Sequence, residues 1–304
     1  MFYQLLRTAR PRQWLKNLSL YAAIAFSGEL FRRDFFSQVS KAFVVFCLAS
    51  SAVYIFNDLI DAPKDRLHPI KKNRPIASGR LSPQVAVMAI AILLGVVLVS
   101  AWSLSPYFLG MVLLYLLLQI AYTFKIREVI ILDAMTVAAG FILRVYAGSV
   151  VVMVSLSSWI VLTTIGLSLL MAFGKRRSER TILEGQNRPA TRGTLEHYPN
   201  TLLDAMISMS SAYTIISYSL FAFQNSPVRT TPLFLGFIPQ TLASPKWMML
   251  TIPLVIYGVA RYLYVIYEKK EAESPERVLL SDYPLLITVS LWVLAILVII
   301  YSLG

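Results

Sequence analysis

The sequence predicts an all-α, polytopic membrane protein of about nine transmembrane helices, forming one integral-membrane domain over residues 1–304. Three observations carry that expectation. Hydrophobic residues make up 57% of the chain, and the mean hydropathy is +0.65, more apolar than a water-soluble core requires. These residues gather in runs long enough to cross a bilayer. Lys and Arg, in turn, concentrate on alternate connections between the runs.

Apolar runs at 17–28, 39–57, 84–104, 106–124, 132–153, 157–174, 201–224, 247–267 and 283–303 each read as a membrane helix, because about 20 apolar residues span the hydrocarbon core. The first is the shortest and weakest; as a tilted or interfacial segment it would bring the count to eight. Tight outer turns are expected at Ser103 to Pro106 and at Ser155 to Ser158. The mixed-charge stretch Lys269, Lys270, Glu271, Glu273, Glu276 and Arg277 reads as a solvated connection. No internal repeat is evident.

Of the 28 Lys and Arg, 22 lie before the first run or in the connections 58–82, 125–127, 175–192 and 261–277, while Arg32, Arg33, Lys41, Arg229 and Lys246 lie on the other side. The asymmetry predicts a multi-pass protein of the plasma membrane with its N-terminus and long polar loops in the cytoplasm. The net charge of +12 is then chiefly a topology signal, and it suits anionic headgroups or a polyphosphate substrate. Without a basic soluble domain, nucleic acid is not an expected partner. Cys47 sits alone in an apolar run, so it reads as a packing residue and no intrachain disulfide can form. His68 and His197 lack companions at the spacing of a zinc or haem site. The segment bearing Arg7, Arg10, Arg12 and Lys16 shows no small-residue cleavage pattern and is expected to be retained.

The chemistry is written in Asn57 Asp58 Leu59 Ile60 Asp61 Ala62 Pro63 Lys64 Asp65. On a helix, Asp58, Asp61 and Asp65 follow i, i+3 and i+7 spacing and share a face, with Asn57 beside them. Carboxylate oxygens in that pattern suit Mg²⁺, whose octahedral shell retains room for waters and a substrate diphosphate. Pro63 is expected to end or kink the helix, which would leave Asp65 less well fixed. Basic residues follow at once: Lys71, Lys72, Arg74 and Arg80, on a segment turned by Pro69, Pro75 and Gly79. Lys71 and above all Arg74 are candidates to bind the diphosphate charge that one Mg²⁺ leaves unneutralised. A second polar cluster, Tyr122, Lys125, Arg127 and Asp133, lies at the junction of the fourth and fifth runs, where Asp133 has the alternative of pairing with Lys125 or Arg127. Arg144 lies about three turns deeper, and an intramembrane charge is a functional candidate unless it hydrogen-bonds helix ends.

With Arg74, Pro75, Ser78 and Gly79 downstream, the Asn57, Asp58, Asp61, Asp65 run resembles the first signature of the UbiA superfamily of intramembrane prenyltransferases. The resemblance implies helices surrounding a central cavity with a lateral opening for lipid. It also implies that Asp58, Asp61 and Asp65 hold Mg²⁺ and that Tyr122 with Lys125 or Arg127 lies near the phosphates. Members that prenylate aromatic rings usually carry a second aspartate-rich motif after the sixth helix. Here that stretch is Gly174 Lys175 Arg176 Arg177 Ser178 Glu179 Arg180. This run, Tyr198 to Asp204 and Ser274 to Asp282 look like the polyprenyl-phosphate phosphoribosyltransferase branch. That branch implies transfer of 5-phosphoribose from phosphoribosyl pyrophosphate to a polyprenyl phosphate, with Lys175 and Arg176 meeting an additional phosphate. An acceptor that is already an oxyanion needs no strong base, which fits the lack of a histidine or cysteine constellation. Two rivals are an aromatic prenyltransferase using prenyl diphosphate and a lipid or ion transporter with the aspartates as a cation path. The basic Lys175–Arg177 run argues against the first. The placement of the aspartates at a helix end rather than mid-span argues against the second.

Overall fold

The computed structural model describes residues 2–67, 71–185, 198–226, 246–269 and 275–302, and every regular element within them is helical. In chain order these are α1 (Phe2–Ala9), a 3₁₀ helix (Pro11–Tyr21), α2 (Ala22–Phe26), α3 (Arg33–Arg66), α4 (Pro83–Leu104), α5 (Pro106–Phe124), α6 (Leu132–Val152), α7 (Ser158–Gly185), α8 (Asn200–Gln224), α9 (Ile252–Tyr264), α10 (Pro275–Ser281) and α11 (Tyr283–Ser302). A 3₁₀ turn, Trp247–Thr251, leads into α9 and a π turn, Val265–Lys269, extends it. His68, Pro69, His197, Arg229, Lys270, Glu271, Glu273 and Ser274, each noted in the sequence, lie outside the described residues.

Eight helices among the described residues are long and apolar enough to cross a membrane, and the chain is a multi-pass membrane protein. The first apolar run, 17–28, is divided between the 3₁₀ helix and α2. Pro11 opens that 3₁₀ stretch, and Asn17 and Ser19 interrupt its apolar face. The second run extends at both ends into the 34-residue α3, which passes through Pro63. Pro63 is exposed, so the Leu59 carbonyl, deprived of its usual donor, can turn to water at the helix mouth. Asp65 therefore stays on the helix with Asp58 and Asp61. At the outer turns, Ser105 closes α4 and opens α5: its side chain accepts from Tyr107 N at 3.2 Å, with Pro106 at the first helical position.

The chain divides into two compact units, Met1–Ile24 with Leu30–Ser155 and Ala25–Glu29 with Leu156–Gly304. In the first, α3 is central and packs against α1, the 3₁₀ helix, α4, α5 and α6. The most apolar window of α3 is 61% buried, against 17% for α4, so α3 is the protein-enclosed member and α4 an outer one. Its core is built from Ala42, Val45, Phe46 and Ala49 against Phe108, Val112 and Tyr115. Gly148 of α6 meets the backbone of Leu20 so closely that a Cβ there would lie 1.8 Å from the Leu20 carbonyl oxygen. Val87, Ile92 and Val99 of α4 and Leu113 and Leu117 of α5 are exposed, an apolar surface suited to acyl chains.

The second unit pairs α7 with α8 and α9 with α11. Ile160, Tyr218, Phe221, Met248, Ile296 and Ile299 form its core, where the Tyr218 hydroxyl accepts from Trp292 Nε1 at 2.8 Å and lies 2.5 Å from Thr251 Oγ1. Asp282 caps α11 by accepting from Leu285 N at 3.1 Å. Arg261 reaches the same carboxylate with two bonds of 2.9 and 3.0 Å, and Lys269 adds a third of 2.8 Å. The Arg261 guanidinium, helped by Lys269 and the Leu285 amide, holds the Asp282 carboxyl well below the usual carboxylate range despite its burial.

Candidate active site

The segment after α3 has an apolar anchor. Ile76 and Leu81 are buried with Ile55 and Ala62 of α3 and Ala86 of α4, so the intervening chain is drawn down onto α3. Successive turns fold it: Arg74 N donates to Lys71 O at 2.9 Å, Ser78 N to Arg74 O at 2.9 Å and Gly79 N to Ile76 O at 3.1 Å. Gly79 closes the last of these with φ +76°, a conformation glycine adopts without steric cost. Arg80 braces the segment through Asn73 O and Ser78 Oγ.

Arg74 is thereby set over the acidic face of α3. Its Nη1 lies 3.1 Å from Asp58 Oδ1 and 2.7 Å from Asp65 Oδ2. Both carboxylates are almost fully buried, with side-chain exposures of 3% and 6%. A second arginine, Arg10, places Nη2 2.5 Å from Asp58 Oδ1. Asp61, one turn along, takes a different partner: Arg127 Nη1 lies 2.8 and 3.1 Å from its two oxygens. Buried carboxylates are tolerated only when paired, and each of the three has an arginine.

This arrangement modifies the expectation of three aspartates gripping one cation. Among the described residues, no group of three His, Cys, Asp or Glu side chains is placed to hold a metal ion. Asp58 and Asp65 converge on one point, which the Arg74 nitrogen occupies, and Asp61 turns toward the short 3₁₀ turn Ile126–Glu128 that carries Arg127. Hard carboxylate oxygens directed at a single positive atom are the donor set Mg²⁺ prefers, so the residues present fit that ion.

The remaining candidates take separate positions. Asn57 accepts through Oδ1 from the buried Thr123 hydroxyl at 2.6 Å, leaving its amide nitrogen to donate. Tyr122 is half-buried near the end of α5, and Lys125 is exposed at its C-cap. Lys71 is half-buried in the short 3₁₀ turn Lys71–Asn73. Asp133 is fully buried at the start of α6, where Oδ1 accepts from Ala134 N at 2.8 Å. Arg144, deep in the first unit, donates to Asn17 Oδ1 at 2.8 Å, Gly140 O at 2.8 Å and the Tyr115 hydroxyl at 3.0 Å. Its guanidinium also packs 4.8 Å from the centre of the Tyr115 ring. In the second unit, Lys175 and Arg176 both approach Glu179, at 3.8 and 3.4 Å. The next residue, Arg177, meets Asp204 at 2.9 Å.

Two contacts at the acidic face escape the sequence reading. Thr123, in an apolar helix end, carries no signal beyond one polar residue near Tyr122. Arg10 reads as one of several membrane-flanking cations. The available cue was its position before Pro11, since a residue preceding proline is driven out of the helical region.

Comparison with known proteins places the chain in a family. The UbiA prenyltransferase family matches residues 18–282. A protein of Mycobacterium tuberculosis named decaprenyl-phosphate phosphoribosyltransferase is 37% identical over 242 residues, covering 78% of this chain and 80% of its own length. One of the same name from Corynebacterium glutamicum is 32% identical over 301 residues, covering 98% of this chain and 86% of its own. Among solved structures, a UbiA homologue from Archaeoglobus fulgidus bound to GPP and Mg²⁺ matches with a TM-score of 0.67 at 19% identity, covering 99% of this chain and 100% of that one. With the family spanning most of its length and helices of this fold throughout, the chain belongs to the UbiA prenyltransferase family.

Proposed function

We propose that this protein transfers 5-phosphoribose from phosphoribosyl pyrophosphate to a polyprenyl phosphate in a Mg²⁺-dependent reaction at the cytoplasmic side of the plasma membrane. The observation that carries the reading is the pairing of the buried Asp58 and Asp65 with Arg74, within a chain 32% to 37% identical over most of its length to relatives named for that acceptor and that transferred group.

In this reaction a phosphate oxygen of the lipid attacks C1 of the ribose, and the bond from C1 to the diphosphate oxygen breaks, its electron pair leaving with pyrophosphate. Asp58 and Asp65, which converge on one point, are the residues that would hold Mg²⁺, with Asp61 joining them on release from Arg127. When bound, the ion would screen the charge that develops on the departing diphosphate. Arg74 and Arg127, already directed at these carboxylates, donate hydrogen bonds to the same oxygens of the leaving group. The Asn57 amide, oriented by Thr123, offers another donor. Lys175 and Arg176, which both approach Glu179, are the candidate cations for the phosphate that the substrates carry beyond the diphosphate. The attacking oxygen is ionised before it arrives, so the protein's work is positioning and charge neutralisation.

The test is incubation of purified protein with Mg²⁺, radiolabelled phosphoribosyl pyrophosphate and a polyprenyl phosphate, followed by lipid extraction. Label entering the lipid phase and vanishing with EDTA is expected. No label from folded protein, together with turnover of prenyl diphosphate on an aromatic acceptor, would replace this reading with prenyl transfer.

A further inference from the structure

We propose that Arg10 is a further phosphate-binding residue of this site, presented by an N-terminal segment that is part of the substrate-binding machinery; this rests on the reading of the acidic face as a diphosphate site. Three observations carry it.

First, the segment is fastened to α3 by a ladder of polar contacts. Asn17 Nδ2 lies 3.3 Å from both Cys47 Sγ and Ser50 Oγ, Trp14 Nε1 donates to Ser51 Oγ at 3.0 Å, and the Tyr54 hydroxyl reaches Gln13 Oε1 at 3.4 Å. Arg10 completes the series on Asp58. These α3 residues recur every three or four positions and so form one stripe of the helix. Arg144 secures the far end of the ladder by donating to Asn17.

Second, Arg10 adopts a left-handed backbone conformation, φ 53° and ψ 63°, which a residue with a Cβ occupies only when its surroundings hold it there. Pro11 fixes the next φ and starts the 3₁₀ helix. The chain thus turns sharply at the residue whose side chain meets Asp58, and the Tyr54 ring lies 5.2 Å from the guanidinium carbon.

Third, Arg10 commits little of its donor capacity. Only Nη2 is engaged, while Nε and Nη1 have no hydrogen-bond partner among the described residues, and the side chain is 34% exposed beside a carboxylate that is 3% exposed. A bidentate pair presents two guanidinium nitrogens to the two carboxylate oxygens, as Arg261 does to Asp282. One arm on Asp58 with the rest of the fork open instead suits a diphosphate that Mg²⁺ would hold beside that carboxylate, with bidentate recognition of two phosphate oxygens.

Inorganic pyrophosphate with Mg²⁺ is the probe, because it is common to phosphoribosyl pyrophosphate and prenyl diphosphate. Its binding to purified wild-type protein in detergent is measured by titration calorimetry and compared with R10G, R10K and the exposed neighbour R12A. Glycine keeps the left-handed backbone while deleting the guanidinium; lysine keeps the charge and deletes the fork. We expect at least tenfold weaker binding for R10G, a smaller loss for R10K and none for R12A. Wild-type affinity in folded R10G overturns the assignment of Arg10 alone. Absence of binding by the wild type overturns the diphosphate reading and this proposal with it. Should R10G not fold, R10K decides: a loss of affinity supports the fork, and equality with wild type overturns it.

Discussion

Removing Arg74 tests the electrostatic logic of the acidic face. In R74M the side chain keeps much of its length but loses the nitrogen that stands 3.1 Å from Asp58 and 2.7 Å from Asp65. Asp58 retains Arg10, whereas Asp65 loses its one described side-chain partner. Breaking one side of a buried ion pair costs about 3–5 kcal/mol, because the other charge is left stranded. Arg74 itself is 26% exposed, so solvent screens part of the loss and the low end, about 3 kcal/mol, is expected. The cost belongs to the stranded Asp65. Adding D65N to R74M should therefore recover about 1–2 kcal/mol, although D65N alone destabilises the protein. Unfolding in mixed micelles of increasing SDS content, followed by circular dichroism, measures all four proteins as a double-mutant cycle. If R74M with D65N is no more stable than R74M, or if the two losses simply add, the pair is not energetically coupled and the argument fails.

Three further outcomes are expected. D58N and D61N should abolish Mg²⁺-dependent turnover in the labelled-lipid assay while leaving helical content unchanged; wild-type activity in both would remove these residues from the site. G148A should cost about 2–3 kcal/mol by overpacking, since its Cβ would sit 1.8 Å from the Leu20 carbonyl oxygen; wild-type stability in the same SDS titration would show that the 3₁₀ segment moves aside freely. Asp282 has its folded-state pKa depressed chiefly by Arg261, so its contribution is present above the ordinary carboxyl pKa of about 4 and is lost as pH falls below it. The thermal midpoint of the wild type should accordingly fall on acidification below about pH 4, and that of D282N should fall less; parallel pH profiles would contradict the assignment.

The long helices were legible because lipid leaves few choices: backbone groups must be satisfied within the helix, and apolar length reports the span. The shared face of Asp58, Asp61 and Asp65, and the likeness of their motif to UbiA, could be read from spacing and order. What spacing could not tell was where each carboxylate turns. Asp61 lies a single turn from Asp58, yet it is drawn to Arg127, 66 residues on, a tertiary event invisible to a local pattern. Pro63 misled for a related reason: its penalty presumes a buried helix interior, and it lies exposed near the end of α3. Arg144 stands out in the sequence as an intramembrane charge, but its partners do not. Its described contacts go to Asn17, Gly140 and Tyr115, the first of which sits 127 residues away in the sequence.

The balance of charge at the acidic face follows from its place in a membrane protein. Asp58, Asp61 and Asp65 are matched by Arg10, Arg74 and Arg127, and an unmatched carboxylate at the end of an otherwise apolar helix would be costly. A balanced face resists a lone diphosphate, which adds negative charge, and a lone Mg²⁺, which adds positive charge. It resists the two together far less, since they largely cancel. Under the proposed reading each arginine then exchanges a carboxylate oxygen for a phosphate oxygen, one anionic acceptor for another of similar geometry, so no donor passes through an unpaired buried state. In both Arg74 and Arg127 a single nitrogen, Nη1, makes the contacts, to two carboxylates in the one case and to both oxygens of one in the other.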